Sequence, residues 1–100
     1  MSEIGIKQIV YTSTSLSNAT AIKKYLSNRF SQKEVDHFFL LQSFESVVIS
    51  YPKLYPKTTK KKNVRRAVLS KPLSVFYRIE KSTIEVLAIL DNRCDFEVWI

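Results

Sequence analysis

The sequence predicts an α+β domain in which a helical hairpin packs on one face of a largely antiparallel sheet, in the order β-α-α-β-β-β. Three observations point there. Two consecutive stretches repeat apolar residues at three- and four-residue steps, with a single break between them. The stretch "LSVFYRIE", residues 73–80, alternates apolar and polar with the period of a strand. The stretch "TIEVLAILD", residues 83–91, is nearly all apolar, as suits a central strand covered on both sides.

Each element has its own warrant. "IKQIVYT", residues 6–12, is rich in β-branched residues and reads as a strand. The hydroxyl cluster "STSLSN" supplies N-cap candidates for a helix over 15–30, whose face carries Leu16, Ala19, Ile22, Leu26 and Phe30. Ser31 and Glu34 have the spacing of a capping box for a second helix over 32–51. Its face runs through Val35, Phe38, Leu41, Phe44 and Val48, widened by Phe39, Leu40 and Val47. Pro52 disfavours helical geometry at Tyr51, so the helix stops there. "PKLYPKTTKKK" has two prolines and no periodicity and reads as a basic loop. Strands are then expected over 63–70, 73–80 and 84–91. Neither Lys81 nor Ser82 favours a positive φ, which predicts a loop longer than two residues. In the last strand Val86, Leu87, Ala88, Ile89 and Leu90 should be buried, and truncating Leu87 to Ala should cost about 2–5 kcal/mol.

One hundred residues make one domain, 1–100, enough to bury roughly 65% of the unfolded chain's surface. An apolar fraction of 45% is that of a globular chain. The single cysteine, Cys94, allows no internal disulfide and fits a reducing compartment. The opening "MSEIGIKQIV" lacks the apolar run of a signal peptide, and "FFLL" and "VLAIL" are too short to span a bilayer. A cytoplasmic location, away from any membrane, is the expectation. One glycine leaves no glycine-rich loop for a nucleotide's phosphates, and one histidine and one cysteine are too few for a His/Cys metal site, so no cofactor is expected. His37 sits inside the helical pattern "VDHFFLL" and reads as a helix-surface residue rather than a catalytic one.

The charge is segregated. Residues 1–45 hold five Lys/Arg against four Asp/Glu; 80–100 hold two against five; 46–79 hold nine and no acid. The densest run, "YPKTTKKKNVRRAVLS", contains Lys57, Lys60, Lys61, Lys62, Arg65 and Arg66. Such a patch attracts polyanions, although a charge run is more often only a solvated face.

The stretch "NVRRAVLSKPLSVFYRIEKSTIEVLAILDNR" resembles the RelE/ParE superfamily of bacterial toxins. A basic strand precedes a strand ending in Tyr77-Arg78-Ile79, and an apolar strand ends in the corner Asp91-Asn92-Arg93. The similarity runs from Ile6 to about Asp95. It implies the toxin of a type II toxin–antitoxin, or plasmid-stabilisation, module, inhibiting growth while an acidic antitoxin protein silences it. Operator DNA would be met only through the antitoxin, and a homodimer stays open. ParE-like members bind and poison DNA gyrase; RelE-like members enter the ribosome and cut messenger RNA. A detoxified relative acting as a basic nucleic-acid or protein adaptor is a third reading.

The residues separate these readings. Arg65, Arg78 and Arg93 are the candidate phosphorane-binding cations of a nuclease, with guanidinium forks that suit phosphate. The tyrosine that RelE-like nucleases carry near the C-terminus has only Phe96 and Trp99 as counterparts, and neither transfers a proton. The arginine of the middle strand falls at Ser74, and the paired lysines fall at Arg65 and Ala67. This favours the non-catalytic, ParE-like class, with Lys57, Lys60, Lys61, Lys62, Arg65, Arg66, Arg78 and Arg93 facing target or antitoxin. Tyr77 shares a strand face with Leu73, Val75 and Ile79 and reads as core; Arg78 reads equally as a surface ion pair or a functional cation. Tyr51 and Tyr55 are expected to cover the helix-to-sheet junction.

Overall fold

The computed structural model describes residues 5–29, 31–59 and 61–91, the side chains of 26–29, 31–35, 37 and 38 excepted. Its elements are β1 (Gln8–Tyr11), α1 (Ser13–Arg29), α2 (Ser31–Ser50), β2 (Arg65–Val68), β3 (Leu73–Glu80) and β4 (Thr83–Asp91). The order is the expected one, and so is the α+β class. The sheet order is β1-β4-β3-β2, antiparallel except for the parallel pair β1–β4.

Both helices pack on one face of the sheet. The core there takes Ile22 from α1, Phe44 and Val48 from α2, and Ala67, Leu73, Val75, Tyr77, Ile84, Val86 and Ile89 from the strands. Fully burying side chains of this size contributes about 1.5–3 kcal/mol each. The helices run antiparallel: Leu16 and Ala19 share a cavity of about 290 Å³ with Leu41, Gln42 and Glu45. Leu16, expected on the buried face, is instead 54% exposed, because it lies in the first turns of α1 at the rim of that cavity. Phe39 is exposed as well. The expectations for Leu26, Phe30, Val35, Phe38, His37 and the Ser31–Glu34 box lie outside the described side chains.

Two details of the strands depart from the sequence reading. The β3–β4 hairpin closes in two residues, since Glu80 pairs with Thr83 and Lys81 adopts φ 56°. The longer loop expected there is not needed, because long pairing on both sides holds Lys81 in the left-handed region that non-glycine residues rarely occupy. The pairing also slips at the middle of the hairpin: Phe76 faces Ala88 whereas Tyr77 faces Val86, so Leu87 is an extra residue on β4. This β-bulge re-aims the strand. It lets Val86 and Ile89 both enter the helix-side core, and it leaves Leu87 and Leu90 only half-buried on the other face. The second face carries a smaller cluster of Val64, Phe76 and Ala88.

The stretch expected to be a plain basic loop is folded back on β2. Lys57 bridges Arg65, the Thr58 N–H donates to the Val64 carbonyl at 2.8 Å, and the Arg66 N–H donates to the Pro56 carbonyl at 3.0 Å. Asn63 turns this arm with φ 61°, a conformation asparagine tolerates better than most residues. β2 is accordingly shorter than the expected 63–70. No helix among the described residues is long and apolar enough to cross a membrane.

Candidate functional site

Where β1 passes into α1, the chain is tied to the bulge. The Thr12 N–H donates to the Val86 carbonyl at 3.1 Å, and its hydroxyl donates to the Leu87 carbonyl, also at 3.1 Å. The same oxygen accepts the Ser15 N–H at 3.2 Å, so Thr12 is the N-cap of α1. The buried Ser15 hydroxyl returns to the Thr12 carbonyl at 2.8 Å. Beyond the end of β1, the exposed amide edge of β4 is met by Asn18, whose Oδ1 accepts the Ile89 N–H at 3.1 Å. These contacts hold the first turn of α1, with the exposed Thr14, beside the open sheet face.

A groove of about 530 Å³ opens there, lined by Thr12, Thr14, Lys61, Lys62, Val64, Arg78 and Leu87. Lys61 and Lys62 come from the folded-back arm, whose buried Val64 anchors it to the sheet. Arg78 projects from β3. Its Nε donates to Glu85 Oε1 at 2.7 Å across the β3–β4 pair, with Glu80 at 4.0 Å. An exposed pair of this kind is worth about 0–1 kcal/mol, so its main effect is to orient the guanidinium. Val64 and Leu87 give the groove an apolar floor between three cations and two hydroxyls. No carboxylate, imidazole or phenol lines it among the described residues.

The other candidate residues are placed elsewhere. Arg66 lies on the same sheet face as Arg78, 5.6 Å over the Phe76 ring, and its Nε donates to Ser74 Oγ at 3.2 Å. A guanidinium therefore does sit beside Ser74, supplied by the neighbouring strand. Arg65 is on the opposite, helix-facing side, where its Nη1 donates to the carbonyls of Tyr55 at 2.6 Å and Lys53 at 3.3 Å. Lys57 is exposed along the outer edge of β2. Lys60 and Arg93, with Phe96 and Trp99, lie outside the described residues.

Tyr77 is core. Its hydroxyl donates to the Pro52 carbonyl at 2.7 Å, and its ring packs edge-on against Phe44 and Tyr55 at 5.6 and 6.2 Å. Burial pushes its phenol up to about 12. Tyr11 is raised too, by burial first and then by the Glu45 carboxylate to which it donates. Tyr55 does cover the helix-to-sheet junction, whereas Tyr51 is 66% exposed and does not. Sequence reasoning missed Thr12, Thr14 and Leu87 as groove residues. The hydroxyl cluster after β1 was the available signal, but it reads equally well as helix capping alone.

Two helices on one face of a four-stranded sheet make a RelE/ParE-like fold, shared with chains of solved toxin–antitoxin structures. A chain of the chromosomal ParDE toxin–antitoxin system of P. aeruginosa superposes with a TM-score of 0.72 at 14% identity, over 87% of this chain and 96% of that one. The E. coli DinJ–YafQ toxin–antitoxin complex contains a chain at 0.62 and 14%, over 94% and 100%. A metal-bound toxin from Helicobacter pylori follows at 0.58 and 18%, over 89% and 98%. No protein-family model matches the sequence, and no curated protein matches it. Among the described residues no group of three or more His, Cys, Asp or Glu side chains is placed to hold a metal ion.

Proposed function

We propose that this chain is the toxin of a type II toxin–antitoxin module, that it works in the ParE-like manner by binding a macromolecular target such as DNA gyrase, and that an acidic antitoxin silences it. The observation that carries this reading is the chemistry of the groove. Lys61, Lys62 and Arg78 supply positive charge over an apolar floor, and among the described residues no carboxylate, imidazole or phenol joins them in the lining to serve a ribose hydroxyl or a leaving oxygen. A surface of this composition supports binding over cleavage. The fold shared with chains of the ParDE and DinJ–YafQ structures supports the toxin of such a module, and the choice of class rests on the residues, since one fold admits several functions.

In this reading Lys57, Lys61, Lys62, Arg66 and Arg78 form the charged surface, Lys60 and Arg93 lying outside the described residues, and Arg65 acts from behind it by fixing the 53–55 backbone. The antitoxin contacts operator DNA on the toxin's behalf. The test is messenger RNA integrity in translating ribosomes given the purified protein. Intact messenger RNA is expected; specific cuts within codons at catalytic amounts of protein would favour the RelE-like endonuclease instead.

A further inference from the structure

The turn after α2 presents apolar side chains to solvent on a backbone fixed from beneath. Tyr51 and Leu54 are 66% and 62% exposed. They are the first and last residues of a β-turn closed by the Leu54 N–H to the Tyr51 carbonyl at 3.1 Å, with Pro52 at the second position that its fixed φ favours. Pro52 is buried and its carbonyl accepts the Tyr77 hydroxyl at 2.7 Å. Arg65 holds the carbonyls of Lys53 and Tyr55. Two hydrogen bonds from the sheet thus pin the turn itself and a third pins Tyr55 just beyond it, while the end residues of the turn stay exposed. A lone exposed leucine is ordinary, but an exposed Tyr–Leu pair on a pre-ordered turn has the properties of an interface anchor, because the entropy of ordering it is already lost in the free protein.

The surroundings select the occupant. Lys53 and Lys57 are exposed beside the turn, and no acid occurs between Ser46 and Ile79. Nucleic acid would call for successive aromatic stacking platforms, whereas here the second anchor is aliphatic. We infer that the 51–54 turn is the anchor point for an acidic, amphipathic segment of the antitoxin, whose apolar side chains pack on Tyr51 and Leu54 while its carboxylates lie beside Lys53 and Lys57. This rests on the toxin–antitoxin reading, and the experiment separates the two.

The probe is the purified acidic product of the adjacent gene, immobilised, with association and dissociation rates measured at two ionic strengths. The Tyr51→Ser/Leu54→Ser double variant should dissociate about tenfold faster or more, at a near wild-type association rate. Lys53→Glu/Lys57→Glu should instead slow association about tenfold at low salt. Tyr51→Leu, which keeps an apolar surface, should retain slow dissociation, and all variants should keep the wild-type thermal midpoint because the altered side chains are exposed. If the product binds but the double variant dissociates at the wild-type rate, the anchor is wrong and the toxin reading stands. If the product does not bind the wild-type protein, the toxin–antitoxin reading fails and the anchor with it. If a single-stranded RNA oligonucleotide loses the same factor of affinity on the double variant, the occupant is nucleic acid and the inference is overturned.

Discussion

The hydroxyl of Tyr77 donates to the carbonyl of Pro52 at 2.7 Å, joining the middle of β3 to the turn that ends α2. Both residues are buried, so the bond stands where an unpaired carbonyl would be costly.

Tyr77→Phe leaves the Pro52 carbonyl without its donor and should destabilise the fold by about 1–2 kcal/mol in urea unfolding, with growth inhibition retained. The phenol's folded-state value, pushed up to about 12, lies above its ordinary value near 10. The neutral form is therefore favoured by folding: that stability is fully present below pH 10 and is lost as pH rises toward 12. Stability measured from pH 9 to 12 should fall less steeply for Tyr77→Phe, with a residual slope from Tyr11, which is raised in the same sense.

Arg65 and Arg66 are sequence neighbours with opposite expectations. Arg65→Ala frees the carbonyls of Lys53 and Tyr55 and should cost about 1–2 kcal/mol, after allowing for its partial exposure. Arg66→Ala removes an exposed contact over Phe76 and should cost under about 1 kcal/mol. Equal losses in chemical denaturation would contradict the placement of the two side chains on opposite sheet faces.

Leu87→Ala should cost about 1–2 kcal/mol, less than the sequence reading implied, because Leu87 sits at the bulge and lines the groove rather than the core. Ile89→Ala, two residues on and fully buried, should cost about 2–5 kcal/mol. Paired urea titrations check the ordering.

These contrasts mark what was legible in the sequence. The end of α2 was, because Pro52 acts through local backbone geometry; α1 begins two residues earlier than expected, since its N-cap is Thr12, the residue read as the end of the strand. The helix-side face of β3 was, because Leu73, Val75, Tyr77 and Ile79 recur at every second position. Beyond Val86 the face was not, since a bulge is chosen by the fit of two strands and leaves no mark in either one. The turn at Lys81 was misread for the same reason: its positive φ is imposed by pairing that local preference cannot report. The groove was half legible. Its cations stand out in "TTKKKN" and at Arg78, but Thr12 and Thr14 arrive only through the parallel pairing of β1 with β4, which no local pattern encodes.

Changing Lys60, Lys61 and Lys62 together to Ser should leave the unfolding midpoint within experimental error, as expected where Lys61 and Lys62 are exposed. It should slow association with the acidic product of the adjacent gene at low salt and flatten the salt dependence, since exposed cations act chiefly on encounter. An unchanged association rate in both salts would make the run a solvated arm and nothing more.

The central claim, inhibition by binding rather than cleavage, is tested most directly by titrating the purified protein into a DNA gyrase supercoiling assay. Inhibition should saturate near stoichiometric amounts of protein over gyrase and weaken in the triple lysine variant. Undiminished supercoiling at a large excess of the wild-type protein would contradict it.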